Sequence, residues 1–196
     1  ATENNITLVH ISTDYVFDGT KTEHSEDEPL SPLGVYGQSK AAGDIVASLT
    51  PKHYIVRTSW VIGKGNNFVR TMRSLAERGV KPSVVNDQIG RLTFTEDLAK
   101  AVQHLVSSKA PYGIYNLSNT GNPASWADIA SSVYEHTGKP RTDITPVTTE
   151  QYYKGKEGIA PRPLQSTLNI DKIKSTGFTP RDWKKALTDY LNDEGV

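Results

Sequence analysis

The 196-residue sequence contains no cysteine and a single methionine. Without cysteine there is no disulfide framework, no thiolate metal site and no thiol nucleophile. Charge of one sign is not in excess either: 22 Lys and Arg balance 22 Asp and Glu, for a net charge of zero. That balance excludes the basic face of a nucleic-acid-binding domain and the acidic tract of a solvating tail. No apolar run approaches the ~18 residues of a membrane-spanning helix, and no signal-peptide pattern opens the chain. The five histidines, His10, His24, His53, His104 and His136, show no metal-binding spacing such as His-Glu-x-x-His. There is no internal repeat and no low-complexity tract. What remains is a polar, globular chain, expected in the cytoplasm, with no nucleic-acid or membrane partner and no metal site. Its first residues, Ala1-Thr2-Glu3-Asn4-Asn5, are polar and carry no initiator Met, so the start reads as a cut end.

Periodicity supplies the fold class. Ile6-Thr7-Leu8-Val9-His10-Ile11 is a short apolar run suited to a strand buried on both faces of a parallel sheet. A polar loop follows from Asp18, and Ser31-Pro32 predicts a helix start that carries Ala41, Ala42, Ile45, Val46 and Leu49 on one side. Further strands are expected at Tyr54 to Thr58, Ser83 to Val85 and Gly113 to Leu117. Helices are expected around Phe68, Met72 and Leu75 before Gly79, and after a Thr95 cap with Leu98, Ala101, Val102 and Leu105 facing inward. Ser125 with Asp128 predicts a capping box, and the last helix follows Pro180 with Trp183, Leu187, Tyr190 and Leu191 inward. Alternating strands and helices to about residue 118 define an α/β fold, a partial Rossmann-like parallel sheet. Residues 119–196, richer in Pro, Thr and loops, read as a small C-terminal α+β cap.

Tyr36-x-x-x-Lys40 places a phenol and an ammonium on one face of that first helix. A lysine cation beside a phenol favours phenolate, which makes Tyr36 a candidate proton donor or acceptor near neutrality. A second match, Tyr152 and Lys156, lies in a Gly- and Lys-rich stretch with no strand before it and is taken as chance. Ser12-Thr13-Asp14-Tyr15 sits at the C-terminal end of the first strand, where open α/β sheets place ligand sites. Asp14 and Asp18 are four apart rather than two, which argues against a phosphatase pair. Gly63-Lys64-Gly65 lacks the full phosphate-loop spacing and reads as a flexible helix entry near the substrate. Trp126 and Trp183 fall at helical core spacing and read as packing.

The run Val9-His10-Ile11-Ser12-Thr13-Asp14-Tyr15-Val16-Phe17-Asp18-Gly19, with Tyr36-Gly37-Gln38-Ser39-Lys40 and Arg57-Thr58-Ser59-Trp60-Val61, resembles the dTDP-4-dehydrorhamnose reductase family of the short-chain dehydrogenase/reductase superfamily. Gly63 to Phe68, Asp87-Gln88-Ile89-Gly90 and Arg162-Pro163-Leu164-Gln165-Ser166 follow in the family's order, so the resemblance runs the whole length. It implies reduction of the 4-keto group of dTDP-4-dehydro-L-rhamnose by NADPH (or NADH). Tyr36 would protonate the alkoxide, Thr13 would hydrogen-bond the same oxygen, and Lys40, with Ser12 nearby, would hold the nicotinamide ribose. Tyr15 and Trp60 match positions that shape the sugar pocket. Asn66, Asn67, Gln88 and Arg162 would contact nucleotide or diphosphate. Some members hold Mg²⁺ through glutamates at a dimer interface; Glu96 is one such position, but no metal site is placed. A homodimer, and fusion to or association with the preceding epimerase, are the partners the resemblance suggests.

Two departures stand out. No Gly-x-Gly-x-x-Gly occurs anywhere, so about the first third of the family's sheet, with its pyrophosphate-cradling turn, is expected to be missing and the fragment inactive alone. Residues 1–118 would then be the C-terminal part of the cofactor-binding domain, 64–80 would contribute to the substrate cleft, and 119–196 would form the substrate-binding domain. Leu92 stands where the family often has Pro, which concerns a local turn. Other readings are a nucleotide-sugar epimerase or dehydratase of the same superfamily, or a non-catalytic regulatory subunit on the same fold; the complete Thr13, Tyr36 and Lys40 set argues against the last.

Overall fold

A computed structural model describes residues 1–193. Its elements in chain order are β1 (Leu8–Thr13), α1 (Val35–Ser48), β2 (His53–Thr58), β3 (Val61–Ile62), α2 (Phe68–Glu77), β4 (Ser83–Val85), β5 (Ile89–Gly90) and β6 (Thr93–Phe94). They continue with α3 (Thr95–Ser107), β7 (Gly113–Leu117), β8 (Ala124–Ser125), α4 (Trp126–His136), β9 (Thr145–Val147), α5 (Thr149–Tyr153), α6 (Asp171–Ser175) and α7 (Trp183–Asn192). The α/β class expected from the alternation is the class observed.

The main sheet is parallel throughout, with strand order β1-β2-β7. Its register sets Thr13 opposite Thr58 and Thr58 opposite Leu117, so the three C-terminal ends finish level. Tyr54, Ile55 and Val56 of β2 are fully buried, as expected of a central strand covered on both faces. Behind the sheet, Tyr54, Val56, Tyr115 and Leu117 pack with Ala101 and Leu105 of α3 and with Ile170 and Ile173 from beyond residue 119. A larger core joins Val69 and Met72 of α2 to Ile129, Val133 and Tyr134 of α4 and to Trp183 and Leu187 of α7. Leu92, the residue in place of the family's Pro, is wholly buried in it. The predicted Ser125–Asp128 capping box is present on α4.

Three local expectations are corrected. First, α1 begins at Val35 with Gly34 as N-cap rather than at Ser31-Pro32. The Ser31 amide donates to the Val16 carbonyl at 2.9 Å, which holds that segment as loop. Second, the apolar side of α1 faces outward: Ile45, Val46 and Leu49 are exposed, whereas Gly37, Ala41, Asp44 and Ala47 are buried. The helix docks through small residues and one charge, because Asp44 accepts from the Arg57 guanidinium of β2 at 2.9 Å with both side chains buried. Third, Thr95 is the first residue of α3 rather than its cap. The Asn119 amide oxygen accepts from the Phe94 N–H at 2.9 Å there.

Gly37 sets how close α1 comes to the turn after β1. A Cβ at this position would stand 2.2 Å from the Tyr15 carbonyl oxygen. Helix propensity alone favours Ala over Gly by about 1 kcal/mol. The contact predicts the opposite sign: Gly37→Ala lowers stability by about 1–3 kcal/mol, read as a reduced urea midpoint with an unchanged slope.

Candidate active site

β1 runs directly into a single 3-10 turn, Asp14–Val16. The Thr13 hydroxyl organises that turn: it accepts from the Tyr15 N–H at 3.2 Å and donates to Asp14 Oδ1 at 3.0 Å. Tyr15 meets Tyr36 edge-on, with centroids 5.7 Å apart. Burial holds the Tyr15 phenol above its ordinary pKa, against the opposing charge of Arg162, whose Nη1 donates to it at 3.3 Å. Tyr36 itself is 57% exposed, open to an incoming ligand. One turn on, Lys40 Nζ donates to the Ile11 carbonyl at 2.6 Å, which anchors the ammonium at the free edge of β1.

Ser12, Thr13, Asp14, Tyr15, Tyr36, Lys40, Thr58, Trp60 and Trp126 line one cleft of about 480 Å³ at the C-terminal end of the sheet. Trp60 is held with φ at 47°, and its indole stacks on Trp126 at 3.8 Å. A left-handed, bulky residue is an uncommon strain, and such strain collects at ligand sites. Gly90 leaves room for it, because a Cβ there would meet the Trp60 ring at 3.0 Å. A cavity of about 300 Å³ shares Trp126 with the cleft and is lined by Phe68, Gln88, Tyr152, Tyr153 and Arg162. Arg162 connects the two spaces through its bond to Tyr15.

Thus Thr13, Ser12, Tyr15, Tyr36, Lys40 and Trp60 come together in the cleft, and Gln88 and Arg162 in the adjoining cavity. Gln88 also donates to the Thr149 hydroxyl at 3.0 Å, which ties α5 to β4 and β5. Asn67 lies in neither space. It caps α2 and donates to the Gly63 carbonyl and the Tyr190 hydroxyl. Asn66 lines a separate groove along α2 with Arg70 and Arg73. Gly63 and Lys64 border another cavity beside Tyr190 and Arg181. Glu96 pairs with Lys100 and Arg181, and no group of three or more candidate metal ligands occurs among the described residues.

Two contributors escaped the sequence reading. Trp126 was expected to be packing, yet it borders both spaces. It follows the Ser125 cap as the first residue of α4, and its ring stacks on Trp60. Asp14 is the second. It is 3% exposed, and burial raises its carboxyl to about 6 against the opposing hydroxyls of Ser166 and Thr13.

A parallel sheet whose first strand ends in a hydroxyl, beside a helix bearing Tyr-x-x-x-Lys, is the arrangement of the Rossmann-like short-chain dehydrogenase/reductase class. The RmlD substrate binding domain model matches residues 1–195, and the chain belongs to that family. It is 47% identical over 188 residues to the spore coat polysaccharide biosynthesis protein SpsK of Bacillus subtilis, covering 94% of this chain and 64% of that one. It is 39% identical over 202 residues to a dTDP-4-dehydrorhamnose reductase of Aggregatibacter actinomycetemcomitans, covering 95% and 67%. The crystal structure of a Bacillus anthracis dTDP-4-dehydrorhamnose reductase in complex with NADP superposes with a TM-score of 0.84 at 36% identity, over 94% of this chain and 64% of that one. The chain therefore spans a little under two thirds of the length of several of these relatives.

The buried Asp14 carboxyl has a consequence for stability. Its folded-state pKa of about 6 lies above the ordinary 3.8, so the folded chain binds the extra proton and stability falls as pH rises from about 4 to about 6. Asp14→Asn is expected to unfold at a higher temperature than wild type at pH 7.5, by about 2 kcal/mol of stability, and to show no gain at pH 4.

Proposed function

We propose that this chain carries the ketone-reducing site of an NADPH-dependent nucleotide-sugar reductase acting on the 4-keto group of dTDP-4-dehydro-L-rhamnose. The observation that carries this reading is the convergence of Thr13, Tyr36 and Lys40 on one cleft floored by the Trp60–Trp126 stack. A nicotinamide cofactor fits the polar chemistry of that cleft. Lys40 reaches its wall, and the buried hydroxyls of Ser12 and Thr58 have no hydrogen-bond partner among the described residues. A reduced nicotinamide, when bound, supplies the hydride.

The chain's own residues do the rest. Tyr36, exposed at the mouth, donates a proton to the oxygen on which negative charge grows. Lys40 stands one helical turn away on the same face, and its ammonium is placed to hold the ribose. Thr13 is placed at the same oxygen from the strand end. Tyr15 and the Trp60 indole present flat, half-apolar surfaces to the sugar ring. Arg162, beside Tyr152 and Tyr153, suits a nucleoside diphosphate: a guanidinium for phosphate and rings for a base. The relatives named as dTDP-4-dehydrorhamnose reductases, and the NADP-bound structure among them, support the substrate and the cofactor.

On this reading residues 1–118 belong with the cofactor side, 64–80 reach the substrate through Phe68 and Met72, and 119–196 form the substrate-binding side. The sequence holds no glycine-rich dinucleotide turn, so the pyrophosphate end of the cofactor has no such cradle here and turnover by this chain alone is expected to be low.

The test compares wild type with Tyr36→Phe in ketone reduction. The assay uses the chain alone and the chain joined behind the dinucleotide-binding segment of a relative. Turnover is expected to fall about 10²- to 10⁴-fold with the unfolding midpoint unmoved. A Phe variant that reduces the ketone as fast as wild type would overturn the role of Tyr36 as proton donor, whereas ketone reduction by neither protein would leave the regulatory-subunit alternative standing.

A further inference from the structure

We propose that Asp14 is a positioning residue that decides whether the Thr13 hydroxyl can donate to the substrate oxygen, withholding it as a carboxylate and releasing it once protonated. This rests on the reductase reading above.

Thr13 Oγ1 has one hydrogen and two lone pairs. One lone pair is taken by the Tyr15 N–H at 3.2 Å. The hydrogen is directed to Asp14 Oδ1 at 3.0 Å. A ketone oxygen and the alkoxide it becomes are both acceptors. While Asp14 is ionised, Thr13 can offer such an oxygen only its remaining lone pair, and Tyr36 is then the oxygen's only donor of this set.

Protonation of Asp14 reverses the bond. The carboxylic acid donates to the second lone pair of Thr13, and the Thr13 hydrogen is free to turn into the cleft that both residues line. Every bonding position of Thr13 is then used: Tyr15 N–H in, Asp14 O–H in, substrate oxygen out.

The surroundings make the switch accessible. Asp14 is buried at the end of β1, and its carboxyl is raised to about 6, so roughly one molecule in ten holds the proton at pH 7. Several ionisable or charged groups surround it. His24, from the loop after β1 and paired with Glu28, favours the carboxylate when charged. Tyr15, with its Arg162 partner, adjoins it in the turn. Tyr36 and Lys40 face the cleft from α1, and the neutral hydroxyls of Thr13 and Ser166 complete the shell.

The experiment has two readouts. In the first, the Asp14 carboxyl, identified by its loss in Asp14→Asn, is titrated by ¹³C NMR in this chain and in Thr13→Val. We expect titration near pH 6 in the wild type. In Thr13→Val it moves upward, because the ionised form loses its donor. In the second, ketone reduction is followed against pH in whichever form of the protein turns over. Wild-type turnover is expected to decline above the Asp14 titration. The side-chain amide introduced by Asp14→Asn donates to Thr13 at every pH, so the ratio of Asp14→Asn to wild-type turnover should rise through that range, by at most about tenfold per pH unit, and level off where Tyr36 alone donates. An unmoved titration in Thr13→Val, or a variant that keeps the wild-type pH limb, would overturn the proposal. A purely structural Asp14 would shift the unfolding midpoint and leave the profile's shape alone. Ketone reduction by no form of the protein would instead overturn the reductase reading, while the titration still judges the Thr13–Asp14 coupling.

Discussion

The structure turns on one buried ion pair. Arg57 sits in the central strand and Asp44 in the helix that carries Tyr36 and Lys40; their side chains are 3% and 2% exposed and meet at 2.9 Å. A buried pair contributes modest net stability, but it tolerates no loss of a partner, since the charge left behind has no water to turn to. Arg57 is also held from other directions: it donates to the Glu26 carbonyl and lies over the Phe17 ring at 5.2 Å. Glu26 in turn accepts from the Asn116 N–H of β7. Helix, central strand, outer strand and the loop after β1 are thereby fixed by one polar network. The helix can then dock on glycine and alanine rather than on bulky apolar side chains, which lets Tyr36 approach the end of β1.

The cleft follows from that placement. Level strand ends put Thr13 and Thr58 side by side, the turn after β1 lifts Tyr15 against Tyr36, and the chain after β2 bends through a left-handed Trp60. That strain, about 1–3 kcal/mol for such a conformation, is offset by the Trp126 stack and by the Thr93 N–H on the Trp60 carbonyl. The core that supports Trp126 draws on α2, α4 and α7 together, so residues from both sides of position 118 stabilise the same floor.

Much of this was legible in the sequence. The short apolar runs of a buried parallel sheet, the Tyr-x-x-x-Lys spacing and the strand-end hydroxyl each follow from a local rule. What escaped was set by tertiary partners. The apolar stripe of Ile45, Val46 and Leu49 suggested a buried face, yet the charge of Asp44 turned the helix the other way, because its partner lies 13 positions on in another element. Asn67 had the composition of a ligand contact and proved to be a helix cap with loop-bracing bonds. Trp126 carried a core signature at the level of spacing, and only the strained Trp60 against it shows that it faces a cleft. Asp14 had no local signature, since its burial and its Ser166 hydroxyl neighbour, 152 positions on, arise only in the folded chain.

The Arg57–Asp44 pair holds α1 in register with the cleft. Amide hydrogen exchange along α1, compared between wild type and Asp44→Asn, tests this directly. Loss of the pair should speed exchange through the helix, including the turn from Tyr36 to Lys40, while the amides of α4 and α7 keep their protection. An α1 as protected in the variant as in the wild type would contradict it, and would assign the placement of Tyr36 to the close packing at Gly37 instead.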